Sequence, residues 1–282
     1  MASMLAALLT PFDRRGEVDV GALRAHVEVL LDGGLDGLFP GGTTGEGALL
    51  EQTEVTSVLA TVVPLAAGRA WVLAQVGRPS TRATVALAER AVALGADAVA
   101  AVVPYYYEAD RDALRRHYSA LLAAVPETPV YAYNIPKRTV NDLEPALLGE
   151  LAREGIAGVK DSSGSFERHL AYLEVAAERT AAGTPLAVLT GSETEVLGSL
   201  QNGSSGSVTA IANLRPELLA RLARAYADGH PSEAAKAQAE LSELKDEVAR
   251  LGPTPLGIKR AVASAMGERG IEYSPALRAP YG

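Results

Sequence analysis

The chain is 282 residues long, 48% hydrophobic and only 5% aromatic, so one large core built mainly from Ala, Leu and Val is expected. A formal net charge of −8 argues against nucleic acid or an anionic membrane as the main partner. With no cysteine in the sequence, disulfides, thiolate nucleophiles and cysteine metal sites are excluded together. No stretch approaches the roughly 20 apolar residues of a membrane span, and the run at 5–9 is too short for a leader segment. A cytoplasmic location is the expectation.

Along the chain, short apolar runs alternate with helical patterns. The first predicted strand is 5–10, after which Asp19 caps a helix with Leu23, Val27 and Leu30 on one face and Gly33 at its end. Strands at 37–42 and 71–76 follow, then a helix capped by Ser80 that carries Val85, Ala88 and Val92 and stops at Gly95. Further strands are predicted at 98–103 and 130–134. Asp142 then precedes a helical face of Leu143, Leu147, Leu148 and Leu151, with Gly155 after it. The last three strands fall at 156–160, 186–190 and 206–211, and helical stretches follow at 216–228, at 231–251 and from 255.

The strands read as continuous apolar runs, as expected when both faces of a parallel sheet are covered. Eight such repeats point to an α/β chain folded as a (β/α)8 TIM barrel with additional C-terminal helices. A doubly wound open sheet is the alternative. The barrel is assigned to 1–214 and a helical region packed on it to 215–282, as a single structural unit.

In such barrels the chemistry gathers at the C-terminal strand ends. Three segments qualify. Lys160 ends an apolar run in Gly158-Val159-Lys160-Asp161-Ser162, on the same face as Ile156 and Gly158. If that face points inward, desolvation disfavours an ammonium ion, and the neutral amine is the form that attacks a carbonyl. The alternative is a strand-end lysine reaching to solvent. Pro40-Gly41-Gly42-Thr43-Thr44-Gly45-Glu46-Gly47 could bring backbone N–H groups and two hydroxyls to a carboxylate or phosphate, or be a plain turn. Tyr133, in Tyr131-Ala132-Tyr133-Asn134-Ile135-Pro136, and the tyrosines of Pro104-Tyr105-Tyr106-Tyr107 could relay protons or simply pack.

Taken with Leu9-Thr10-Pro11-Phe12-Asp13, Gly191-Ser192-Glu193 and Leu277-Arg278-Ala279-Pro280, these segments make the chain resemble, nearly end to end, the dihydrodipicolinate synthase/N-acetylneuraminate lyase family of class I, pyruvate-dependent aldolases. The resemblance implies that Lys160 forms a Schiff base with pyruvate and that Tyr133 donates and accepts protons. It implies that Thr43 links Tyr133 to Tyr106, which in the family typically reaches in from a neighbouring subunit. Thr44 matches a binder of the pyruvate carboxylate, and Val208 a residue whose backbone lines the pyruvate pocket. No cofactor is expected, because a protonated imine is itself the electron sink. His26, His117, His169 and His230 are not grouped as metal ligands and are read as surface or structural residues. A homo-oligomer, the family's usual tetramer, is expected.

The second substrate is read from Arg138, which matches the arginine that dihydrodipicolinate synthases use for the carboxylate of aspartate semialdehyde. Condensation of pyruvate with aspartate semialdehyde to 4-hydroxy-tetrahydrodipicolinate is therefore the first expectation. Val140 stands where the family has glycine and Tyr107 where asparagine is usual. Tyr105-Tyr106-Tyr107, Leu38-Phe39-Pro40-Gly41-Gly42 and Gly191-Ser192-Glu193 look closer to 2-keto-3-deoxygluconate-type aldolases, the second expectation. A non-catalytic barrel that binds a keto acid is a third, disfavoured because Lys160 and Tyr133 are both present.

Overall fold

A computed structural model describes residues 2–281. In chain order it contains β1 (Ser3–Ala6), α1 (Val20–Asp32), β2 (Gly37–Leu38), α2 (Gln52–Ala66), β3 (Trp71–Gln75), α3 (Thr81–Ala93), β4 (Ala98–Val102) and α4 (Arg111–Ala124). There follow β5 (Val130–Asn134), α5 (Pro136–Thr139), α6 (Pro145–Glu154), β6 (Gly158–Asp161), α7 (Phe166–Ala181), β7 (Ala187–Thr190), α8 (Val196–Gln201) and β8 (Gly206–Thr209). Three helices close the chain: α9 (Pro216–Ala227), α10 (Pro231–Arg250) and α11 (Leu256–Glu268).

The strands pair in parallel with their neighbours in sequence and close into a barrel running β1 to β8. The expected (β/α)8 barrel with added C-terminal helices is the fold, and the open sheet is excluded. By its internal packing the chain forms two compact units, one of Ser3–Val72 together with the chain from Thr209, the other of Leu73–Val208. In the first, α1 packs on α2 and α9 on α10, with Leu23, Leu30, Leu219 and Leu222 wholly buried. In the second, β4 reads Ala-Val-Ala-Ala-Val and is buried along its whole length, which is how an aromatic-poor sequence fills a sheet covered on both faces. Among the described residues no helix is long and apolar enough to cross a membrane.

Asp19 caps α1 by accepting from Ala22 N–H, and Ser80 caps α3 by accepting from Ala83 N–H. The buried face of α3 is Thr84, Leu87, Ala88 and Ala91; Val85 and Val92, expected on it, are only partly covered. Asp142 does not cap α6, which starts at Pro145. Its carboxylate instead accepts from Asn134 Nδ2 at 2.8 Å and pairs with Arg168 at 2.9 Å.

Two strands differ in extent from the hydrophobic pattern. β2 ends at Leu38, because Pro40 has no N–H for a ladder and Gly41, at φ 75°, turns the chain away. β1 starts earlier and ends at Ala6, although 7–9 remain bonded. Ala7 N–H donates to Thr209 O, Leu8 N–H to Phe39 O and Leu9 N–H to the side-chain oxygen of Asn213. Asn213 also donates through Nδ2 to Ala7 O at 2.8 Å and Ala210 O at 2.9 Å, and its Oδ1 lies 3.1 Å from His26 Nε2. Burial pushes the His26 imidazole down to about 4, so it stands neutral at this junction.

Asn213 is thus one buried amide serving four partners where β1 runs out. Asn213→Ala should lower unfolding free energy by about 2–4 kcal/mol, since each buried group left unpaired costs roughly 1–3 kcal/mol. Urea unfolding of the variant measures this; a loss below about 1 kcal/mol would mean that the junction is held by other contacts.

Candidate active site

Four consecutive residues of β5 pair with four of β6, so Tyr131 stands beside Gly158 and Tyr133 beside Lys160. The alternation along a strand puts all four on one face. An added Cβ on Gly158 would lie 2.4 Å from the Tyr131 ring, so only glycine fits there. One pair further along, Lys160 is 4% exposed, with Nζ 3.7 Å from the centroid of the Tyr133 ring. The lysine is therefore inside and does not reach to solvent. Its Nζ also donates to Ser162 Oγ at 3.3 Å. Ser162 was not singled out from the sequence, although its spacing of two from Lys160 is the signal that places it on the same face. Gly191 makes room for that hydroxyl, for a Cβ there would sit 2.2 Å from Ser162 Oγ.

The alternate residues of the same strands do structural work. Asn134, fully buried, donates to Asp142 and to Tyr172 Oη at 3.0 Å and accepts from Leu143 N–H at 3.1 Å. Tyr172 Oη donates to Leu143 O, and burial pushes its pKa above the ordinary tyrosine value. Asp161 accepts from Ser163 N–H and lies 3.3 Å from His169 Nδ1. Strand ends at Tyr133 and Lys160 are fixed from behind by this network.

Arg138 lies on α5, a four-residue helix directly after β5, and is exposed. It forms no ion pair among the described residues. Beyond it, Asn141 holds the tyrosine segment: Nδ2 donates to Pro104 O and Tyr107 O, and Oδ1 accepts from Ala109 N–H. Tyr106 has φ 82° and is 79% exposed, edge-on to the exposed Tyr107 with ring centroids 4.9 Å apart. Val208 is buried in β8.

Thr43 and Thr44 belong to the other unit, in the loop after β2; Thr43 is exposed and Thr44 buried. The loop folds on itself through Glu46 N–H to Thr43 O and Gly47 N–H to Gly42 O, and a Cβ on Gly47 would overlap Gly41 O at 1.7 Å. His26, His117 and His169 are buried on α1, α4 and α7, and His230 is exposed. Among the described residues no three His, Asp or Glu side chains gather as a metal site.

A sequence model of the Dihydrodipicolinate synthetase family matches residues 1–282. An uncharacterized DapA-like lyase of Halobacterium salinarum is 39% identical, covering 97% of this chain and 86% of the relative. A 4-hydroxy-tetrahydrodipicolinate synthase of Brucella suis is 35% identical over 92% of this chain and 86% of its own. YagE, a prophage protein from E. coli K12 belonging to the dihydrodipicolinic acid synthase family, was solved in complex with pyruvate. It superposes with a TM-score of 0.90 at 27% identity, covering 99% of this chain and 92% of that one.

Val140 has φ 58° and ψ −36°, a conformation that a β-branched residue rarely adopts, and it is 62% exposed. Thr139 Oγ1 donating to Asn141 O, and the Asn141 bonds, hold it there. Such strain costs about 1–3 kcal/mol, and the greater freedom of an unfolded glycine returns up to about 1 kcal/mol of that. Val140→Gly should therefore raise stability by about 1 kcal/mol, a melting temperature about 2–4 °C higher. A lower melting temperature would show that Val140 is held by contacts worth more than its strain.

Proposed function

Because this chain belongs to the Dihydrodipicolinate synthetase family, whose members are class I aldolase-type lyases acting on carbon–carbon bonds, we propose that it condenses pyruvate with aspartate semialdehyde through a Schiff base on Lys160. The observation that carries this is the buried lysine whose Nζ faces the Tyr133 ring and the Ser162 hydroxyl. The pyruvate complex of YagE supports pyruvate, and the Brucella relative's name supports 4-hydroxy-tetrahydrodipicolinate as the product.

In this reading Lys160 Nζ attacks the keto carbon of pyruvate, the carbinolamine loses water, and a protonated imine remains. The imine draws electrons from the adjacent carbon, so a proton leaves that methyl group and an enamine forms. The enamine carbon bonds to the aldehyde carbon while the aldehyde oxygen takes up a proton, and the amino group of the aspartate semialdehyde part then attacks the imine carbon, closing the ring and displacing the Lys160 amine. Tyr133 carries the protons. Thr43 links it to Tyr106 of a second copy, Thr44 binds the pyruvate carboxylate and the Val208 backbone lines the pocket. The exposure of Tyr106 supports a residue that serves a neighbouring subunit, and we propose a homotetramer working in the cytoplasm. No metal or other cofactor enters these steps. Arg138, exposed and outside any ion pair among the described residues, is the proposed fork for the second carboxylate. A 2-keto-3-deoxygluconate-type aldolase releasing pyruvate is the second reading, favoured by Tyr107 and Val140 standing where the family usually has asparagine and glycine.

Borohydride in the presence of pyruvate should leave a reduced adduct on the Lys160 peptide, read by mass spectrometry; an unmodified peptide would sink the Schiff-base proposal. Arg138→Ala should raise KM for aspartate semialdehyde by about 10–100-fold, the worth of a charged hydrogen-bonded pair, and leave that trapping intact. Turnover of 2-keto-3-deoxy sugar acids, with KM for aspartate semialdehyde unchanged in the variant, would favour the second reading.

A further inference from the structure

Glu46 follows Thr43, Thr44 and Gly45 in the glycine-rich loop. It adopts φ 56° and ψ 28°, left-handed although it is not glycine, and its side chain is buried. A residue in that conformation persists only where its surroundings over-determine it. Those surroundings come from the far end of the chain. Lys259 on α11 is wholly buried and ion-paired with Glu46 Oε1, while Arg278 N–H donates to Glu46 Oε2 at 2.8 Å.

Both cations are fixed in turn. Lys259 Nζ donates to Ala276 O at 2.8 Å and lies 4.1 Å from the centroid of the Phe12 ring. The Arg278 guanidinium stands 4.6 Å from the same ring and pairs with Glu54. Glu54 also accepts from Glu51 N–H in the capping box that starts α2. The cluster therefore holds two carboxylates and two cations, and it ties the C-terminal segment after α11 to both ends of the turn between the loop and α2. Thr10 Oγ1 also donates to Gly45 O at 2.8 Å, and a Cβ on Gly45 would lie 2.5 Å from Leu8 O. The loop is thus bonded at Gly45 to the chain after β1 and at Glu46 to the charged cluster.

We propose that Lys259 and Arg278 are positioning residues, which through Glu46 set the backbone of the Thr43–Thr44 segment for a substrate carboxylate. This rests on the pyruvate reading above. A buried ion pair is a poor source of net stability compared with apolar side chains of the same size. What it supplies is direction: Glu46 Oε1 faces the Lys259 ammonium and Oε2 accepts from Arg278 N–H, so the left-handed residue has one orientation, and the two threonines before it have one backbone path. Neither Lys259 nor Arg278 is assigned any contact with substrate.

The test uses Lys259→Met, which keeps the length of the side chain and removes its charge. Because a lone buried Glu46 carboxylate destabilises the fold, Glu46→Gln/Lys259→Met is made beside it, leaving no unpaired charge. Borohydride trapping on Lys160 is measured against pyruvate concentration in the full-length wild type and in both variants. Half-maximal trapping should need about tenfold more pyruvate in the variants, with the limiting rate at saturation within about twofold of wild type. A folded double variant with wild-type half-saturation would overturn the proposal. So would a fall in the limiting rate alone, which would point to a disturbed Lys160. If wild type itself traps no pyruvate, the functional reading fails and this inference falls with it, a result that no variant is needed to recognise.

Discussion

Parallel strands cannot be joined by a tight turn, so every connection in this chain must climb back along a helix before the next strand begins. That one constraint shapes the rest. It forces the alternation of strand and helix through eight repeats and buries both faces of the sheet. It also releases the residues just past each strand from the ladder, where their side chains and backbone are available for chemistry. Ser162, Ile135 to Arg138, Pro104 to Tyr107 and Pro40 to Gly47 are such segments, and Lys160 and Tyr133 stand in the last two pairs of the ladder before them.

The strands β5 and β6 show how the two faces divide the labour. One face stacks Tyr131 over Gly158 and then Tyr133 over Lys160, so the missing Cβ of Gly158 sets how closely the first pair approaches. The other face sends Asn134 and Asp161 into a buried polar network with Tyr172, Asp142 and His169. The register between the strands couples them. A slip of one residue would exchange the amine for a carboxylate, and the network makes that slip costly.

Two buried lysines make the contrast between holding and reacting concrete. Lys259 is closed in by the Glu46 carboxylate and a backbone carbonyl, with an aromatic ring beside it. Burial disfavours its charged form, and the Glu46 carboxylate opposes that. Lys160 meets the face of Tyr133 and a serine hydroxyl. The same residue type ties a loop to the C-terminal segment in one place and is the proposed nucleophile in the other.

The sequence alone carried the eight strands, their parallel order and the helices capped by Asp19 and Ser80, because hydrophobic period and capping chemistry are local. It also brought Lys160, Tyr133 and Arg138 to strand ends or just past them, and the likeness to a known family rested on the same short segments. Where local signals conflicted with distant partners, it failed. Asp142 looked like a helix start but is claimed by Asn134 and Arg168; β1 stops early because Thr209, Phe39 and Asn213 take over its hydrogen bonds. Whether Lys160 pointed to solvent or inward was open until the fold set its face, and nothing local linked Glu46 to Lys259 and Arg278, more than 200 residues away. Period and capping are properties of neighbours in sequence; the environment of a charge is decided by neighbours in space, and only the tertiary structure supplies those.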